Sequence, residues 1–227
     1  MISNIKNVVV WGDSVAKGVI FDENRRRYTL SEQSAVKTIA QALDISIQNR
    51  AKMGSTITNG LAIMEKDLST GISANIAILE FGGNDCDFLW QEISDAPELV
   101  HLPRTPAEDF EEKMKFAVKR VSQAGMEPYL VNLPPSDAEY YFDFISGGDR
   151  SPKNILQWLG DKNHIYRFHE RYSCIIERVA RATSCKLLDV RSAFLDLWNS
   201  RSLLCRDGIH PNEEGQKFIA KAVLAQL

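Results

Sequence analysis

Short apolar runs alternate along this chain with longer amphipathic stretches, and that rhythm limits the folds open to it. Ile5–Trp11, Ile45–Gln48, Ile76–Phe81, Tyr129–Asn132 and Lys186–Val190 read as five strands. Strands this short and this apolar are buried on both faces, the mark of a parallel sheet rather than a half-solvated antiparallel one. Between them, residues 31–43, 57–69, 106–124, 164–183 and 212–225 carry apolar side chains at helical spacing. Pro106 suits the first turn of the third helix, Glu108 and Asp109 favour its positive end, and Gly125 falls just past its last turn. The alternation predicts an α/β fold with helices on both faces of a parallel sheet. No repeat or linker-like stretch divides the 227 residues, which predicts one domain over 1–227. Residues 86–105 and 133–163 break the rhythm and read as long irregular inserts. The second gathers Tyr140, Tyr141, Phe142, Phe144 and Trp158, either as a satellite core or as a wall of a binding site.

Several function classes lose support on composition. Lys and Arg total 27 against 30 Asp and Glu, a net charge of −3, which gives no basic excess for nucleic acid. Cys86, Cys174, Cys185 and Cys205 form no C-x-x-C pair, so neither a zinc site nor a redox pair is expected, and free thiols are the simplest reading. The first residues show no charged stretch leading into an apolar one, and Val8–Trp11 is too short to span a bilayer. These features predict a cytoplasmic protein with no stable membrane association.

Ligands of open parallel sheets bind beyond the carboxyl ends of the strands. The first strand is followed by Gly12-Asp13-Ser14, the second by Asn49 and then Gly54-Ser55, and the third by Gly82-Gly83-Asn84-Asp85. A serine hydroxyl needs a base to become a useful nucleophile. His210 has the best context, in Asp207-Gly208-Ile209-His210-Pro211 before the last helix, where Pro211 suits the helix's first position. Asp207, three residues earlier, can hold the imidazole tautomer and leave Nε2 facing Ser14. Backbone N–H groups at Ser14 and Gly54, and the amide side chain of Asn84, are the donor types that a tetrahedral oxyanion requires. Glycine at 54 would let the backbone approach a substrate closely.

These four blocks, in this order, resemble the SGNH hydrolases, the GDSL-type esterases and lipases. The resemblance runs from about residue 5 to the end of the chain. It implies a flavodoxin-like three-layer α/β/α sandwich with a five-stranded parallel sheet. It implies Ser14 as nucleophile, His210 as base and then acid, and Asp207 as its orienter. It also implies an oxyanion hole of the Ser14 and Gly54 amides with the Asn84 side chain, and no metal or organic cofactor. The G-x-S-x-G elbow of α/β-hydrolases is missing, because Ala16 stands where its second glycine would be. Arg50–Met53 separates Asn49 from Gly54 in the least standard block. The implied function is a serine esterase acting on a small-molecule or carbohydrate-borne ester. A lysophospholipase or thioesterase of the same family, or a non-catalytic ligand-binding module on the same scaffold, is the alternative.

Plainer readings stand beside these. Ser14 or Asp13 can serve as a helix cap, and Gly82 as turn punctuation. Asp85 reads as a loop support. His101, His164 and His169 show no ligand-like spacing and read as ordinary surface or partly buried residues. Arg25-Arg26-Arg27 reads as a solvated loop, with contact to an anionic substrate group as the second reading.

Overall fold

The structure is a computed structural model that describes residues 7–227. The start of the first expected strand, Ile5 and Lys6, lies outside the described residues. In chain order the elements are β1 (Asn7–Gly12), α1 (Ser14–Lys17), β2 (Val19–Asp22), β3 (Arg27–Leu30), α2 (Ala35–Leu43), β4 (Ser46–Asn49), α3 (Ile57–Ser69), β5 (Ile76–Glu80), α4 (Trp90–Asp95) and α5 (Ala107–Gln123). They continue as β6 (Glu127–Val131), α6 (Ala138–Ile145), α7 (Pro152–Leu159), α8 (Asn163–Thr183), β7 (Lys186–Leu188), α9 (Val190–Leu195), a 3-10 turn (Ser200–Leu203) and α10 (Glu213–Leu224).

Five strands form one parallel sheet in the order β4-β1-β5-β6-β7. Side chains alternate across it. Val9, Trp11, Ala77, Leu79 and Leu130 face one way, into a core closed by α3, α5 and α8. Val8, Val10, Ile76, Tyr129 and Val131 face the other way, onto α2, α9 and α10. The result is the expected three-layer α/β/α sandwich. The strand order reverses between β1 and β5, and there the loops after these two strands leave a crevice.

Three parts differ from the sequence reading. Residues 19–30 form a β-hairpin, β2 with β3, rather than a plain loop. The triple-arginine run sits at its turn and strand start, and Arg26 takes a left-handed φ of 48°. The two inserts are largely helical, as α4 in the first and α6 with α7 in the second. Asp137 caps α6 by accepting from Tyr140 N, and Ser151 caps α7 by accepting from Asn154 N. The inserts pack on one another and on the start of α8. Phe88, Trp90, Ile93, Tyr141, Phe142 and Ile145 belong to this third core, which caps the carboxyl edge of the sheet. Finally, α10 is capped by Asn212, whose side chain accepts from Gly215 N, so Pro211 lies before the helix and not at its first position. Among the described residues, no helix is long and apolar enough to cross a membrane.

A buried polar clamp ties β1 to α3. Trp11 Nε1 donates to Asp67 Oδ2 at 2.9 Å, and Arg50 donates to both Asp67 oxygens at 2.8 and 2.5 Å. Burial pushes the Asp67 carboxyl up, but the Arg50 and Trp11 hydrogen bonds more than offset it and hold it below the usual range. Replacing Asp67 with Ala leaves the buried Trp11 N–H unmet, while the half-exposed Arg50 head turns to water. It should cost about 1–3 kcal/mol in urea unfolding at pH 7. The folded value lies below the unfolded one, so the contribution is present above the ordinary carboxylate range. It is lost as pH falls through the folded value, and the wild-type and Asp67→Ala stabilities should converge in acid.

Candidate active site

Strand register assembles the crevice. In the β1–β5 pair Gly12 lies beside Glu80, so the residues that follow each strand emerge together. A side chain at Gly12 would meet the Glu80 carbonyl oxygen at 2.8 Å, which only glycine avoids. Asp13 then caps the single turn of α1, accepting from Val15 N at 2.9 Å, and Ser14 opens that turn, buried.

The loop before α10 supplies the other half. His210 Nε2 lies 2.8 Å from Ser14 Oγ, and His210 Nδ1 lies 2.6 Å from Asp207 Oδ2. Asp207 is fully buried, and its Oδ1 accepts the backbone N–H groups of His210 and Ile209 at 3.1 and 3.2 Å. Carboxylate and imidazole are thus fixed by the same tight turn. Gly208 makes that turn possible, with φ +77° and the α6 backbone so near that an added Cβ would meet Tyr141 N at 2.5 Å. From the hairpin, the Tyr28 ring packs on the His210 ring with centroids 5.1 Å apart. Burial, followed by the neighbouring Asp207 charge, pushes the Tyr28 hydroxyl well above its usual range, so it stays protonated there.

Asn84 sits across from this line. Its Nδ2 donates to Asp13 Oδ2 at 3.0 Å. An amide nitrogen tied to a carboxylate has a set orientation and keeps a second N–H to offer. Gly54 borders the same cavity, with φ +74° and open space where a Cβ would stand. Its left-handed backbone, rather than crowding, is what calls for glycine there. Asp85 is buried and accepts from Ile57 N, at the start of α3, at 2.9 and 3.1 Å, so it joins the Asn84 loop to the segment that follows Gly54. Burial raises its carboxyl to about 6 despite those hydrogen bonds. Asn49 donates to the Ala16 carbonyl at 2.8 Å and accepts from Ala51 N at 3.0 Å, which sets the path toward Gly54.

Ser14, Gly54, Asn84 and His210 all line one cavity of about 220 Å³, with Asp207 behind His210. Of the aromatics gathered in the second insert, Tyr141 and Phe144 reach this cavity. Tyr140 instead lies under the Arg201 and Arg206 guanidiniums, and Phe142 under Lys162. Arg25 pairs with Asp22 within the hairpin, and none of the three arginines lines the cavity.

Sequence reasoning passed over three residues here: Glu80, Tyr28, and Asp13 as more than a cap. Glu80 had a signal, a carboxylate inside an otherwise apolar strand. Its Oε2 accepts the N–H groups of Asp13 and Ala16 at 3.2 Å each, which brings its carboxyl beside that of Asp13. Both groups are buried and both are raised, chiefly by desolvation, with the neighbouring carboxylate adding to the Asp13 shift. Two touching buried carboxyls cannot both ionise cheaply, so the pair holds one proton between them beyond the ordinary carboxylate range.

The family profile described as GDSL-like Lipase/Acylhydrolase matches residues 10–218, and the chain belongs to that family. A search of curated proteins gives no match. Solved structures of similar fold include the lipase/acylhydrolase from Enterococcus faecalis, at 15 % identity and TM-score 0.67, covering 98 % of this chain and 95 % of that one. The acetyl xylan esterase AlAXEase is 21 % identical with TM-score 0.62, covering 97 % and 99 %. A catalytic mutant of Axe2, an acetylxylan esterase from Geobacillus stearothermophilus, is 17 % identical with TM-score 0.64, covering 98 % and 94 %.

Glu80→Gln should keep the two N–H acceptors' geometry and supply an N–H toward Asp13 in place of the shared proton. Glu80→Ala should instead leave buried donors unmet and cost about 2–3 kcal/mol. The raised folded values mean the native state binds the extra proton. Wild-type stability therefore falls as pH rises through the window between the ordinary carboxylate range and the raised values. Urea melts across that window should show a shallower fall for Glu80→Gln than for wild type.

Proposed function

We propose that this member of the GDSL-like family is a serine ester hydrolase that works through an acyl-Ser14 intermediate on a small-molecule or carbohydrate-borne ester. One observation carries the reading: Asp207, His210 and Ser14 form an unbroken hydrogen-bonded line that ends at a cavity bordered by Asn84 and Gly54. That is the arrangement of nucleophile, base and orienter that acyl transfer needs.

In this reading His210 Nε2 takes the Ser14 hydroxyl proton as Oγ attacks the ester carbonyl. Asp207 holds Nδ1–H and stabilises the imidazolium that forms. The carbonyl oxygen, now negative, is met by the Ser14 and Gly54 N–H groups and the free N–H of Asn84. The tetrahedral species collapses, the C–O bond to the alcohol breaks, and His210 returns the proton to the leaving oxygen. Water then attacks acyl-Ser14, with His210 again as base, and releases the acid and free serine. Asp13 and Glu80 touch no reacting atom. They position the nucleophile turn and the Asn84 amide. A small-molecule or carbohydrate alcohol fits this scheme.

The test is hydrolysis of p-nitrophenyl acyl esters, from acetate upward, by wild type and variants. Ser14→Ala should lose about 10⁴-fold or more in kcat while its melting curve stays intact. Asn84→Ala should lose about 10²–10³-fold in kcat with a smaller change in KM, as expected for an oxyanion donor. Turnover by Ser14→Ala at the wild-type rate would overturn the assignment.

A further inference from the structure

The cavity beside Ser14 continues under the cap built by the two inserts. Its walls there are Phe88, Trp90, Tyr141, Phe144, Ile165 and Phe168, with Leu133 and Pro134 toward the sheet. These rings hold one another edge-on or tilted: Phe88 meets Trp90 at 5.6 Å and Phe168 at 4.9 Å between centroids. The polar atoms among them are mostly committed. Asp87 Oδ1 accepts from Trp90 Nε1 at 2.7 Å and from the Tyr141 hydroxyl at 2.6 Å. The cavity-lining exceptions are Glu80 Oε1, Ser136 Oγ and the His169 ring, of which His169 stands among the aromatic walls. It borders the cavity and is partly buried as a residue, and its Nδ1 is buried with no hydrogen-bond partner among the described residues. With nothing at Nδ1 to dictate the tautomer, the open edge of the imidazole can present either an N–H or a lone pair.

Size narrows the occupant. The cavity measures about 220 Å³. A dry pocket of about 150 Å³ holds one benzene ring, whereas sites for drug-sized ligands start near about 300 Å³. The whole cavity, its Ser14 end included, is thus sized for one ring on a short linker. Aromatic walls favour a ring, which they can meet face to edge.

Resting on the serine-esterase reading, we propose that this aromatic-walled cavity is the acyl pocket for an arylalkanoyl group, and that His169 is a specificity residue that hydrogen-bonds a polar substituent on its ring. Burial holds the His169 imidazole down to about 3, with the Arg191 charge adding to the shift, so the ring stays neutral at working pH and keeps one nitrogen able to accept from a hydroxyl. An unpartnered buried nitrogen is costly to keep in a purely apolar pocket. A ligand contact at the other edge gives the imidazole a role that leucine or phenylalanine at 169 would lack.

The experiment compares kcat/KM for the ethyl esters of 3-(4-hydroxyphenyl)propanoic, 3-phenylpropanoic and acetic acids. Wild type should prefer both aryl esters to the acetate, and the hydroxylated one to the unsubstituted by about tenfold, the worth of one neutral hydrogen bond. His169→Leu should bring the ratio of the two aryl esters to about one, and His169→Gln should restore part of it. A Ser14-dependent enzyme that prefers acetate, or a His169→Leu variant with an unchanged aryl ratio, would overturn the pocket assignment and leave the esterase reading standing. If no ester is turned over, calorimetry of 3-(4-hydroxyphenyl)propanoate binding to Ser14→Ala and to Ser14→Ala/His169→Leu decides the pocket alone. Binding weakened by the second substitution supports it, and no binding to either protein overturns it.

Discussion

The parallel pairing of β1 with β5 is the constraint from which the site follows. Its register sets Gly12 beside Glu80, so the chain leaves both strands at the same height and the Asp13 and Asn84 loops meet. A shift by one residue would turn every side chain of β1 to the opposite face and separate those loops. The register is held from both sides of the sheet, by Val9 and Trp11 in one core and by Val8 and Val10 in the other. The site's geometry is therefore as stable as the two cores. That is why Ser14, on a one-turn helix, can be positioned without strain from its own short element.

Around the nucleophile the fold spends stability on polar burial. Asp13, Glu80, Asp85 and Asp207 are all buried within the loops that converge there. Each is tied to backbone N–H groups or to a partner side chain, and this turns a cost in desolvation into fixed geometry. Asp207 holds the imidazole, Asp13 sets the Asn84 amide, Glu80 receives the N–H groups around the nucleophile, and Asp85 anchors the start of α3. In the proposed reaction, donors fixed in this way would meet developing charge without having to reorient.

Much of this was legible in the sequence because the signals were local or chemically narrow. Apolar runs gave the five strands, and their alternation with helices gave the layers. Ser14, Asn84, Asp207 and His210 stood out because each sits in a short turn next to a strand or helix end. The structure draws them together, and Gly54 with them, around one cavity. What escaped depended on contacts far apart in sequence. Tyr28 reaches His210 only because residues 19–30 fold back as a hairpin, and the arginines at its turn look like any solvated loop. The inserts read as irregular because their aromatic residues mask helices of eight residues or fewer. Yet Asp137 before α6 and Ser151-Pro152 at α7 were usable start signals. His169 looked ordinary because nothing in the α8 sequence shows that it borders a cavity made by two other segments.

Labelling with an active-site phosphonate tests the central claim most directly, because it depends on the nucleophile and its base and not on guessing the substrate. Wild-type protein treated with a p-nitrophenyl phosphonate ester should gain the mass of one phosphonyl group, on the peptide that contains Ser14. His210→Ala should label far more slowly while remaining folded. A folded wild-type protein that takes no label, or takes it on a residue other than Ser14, would contradict the account.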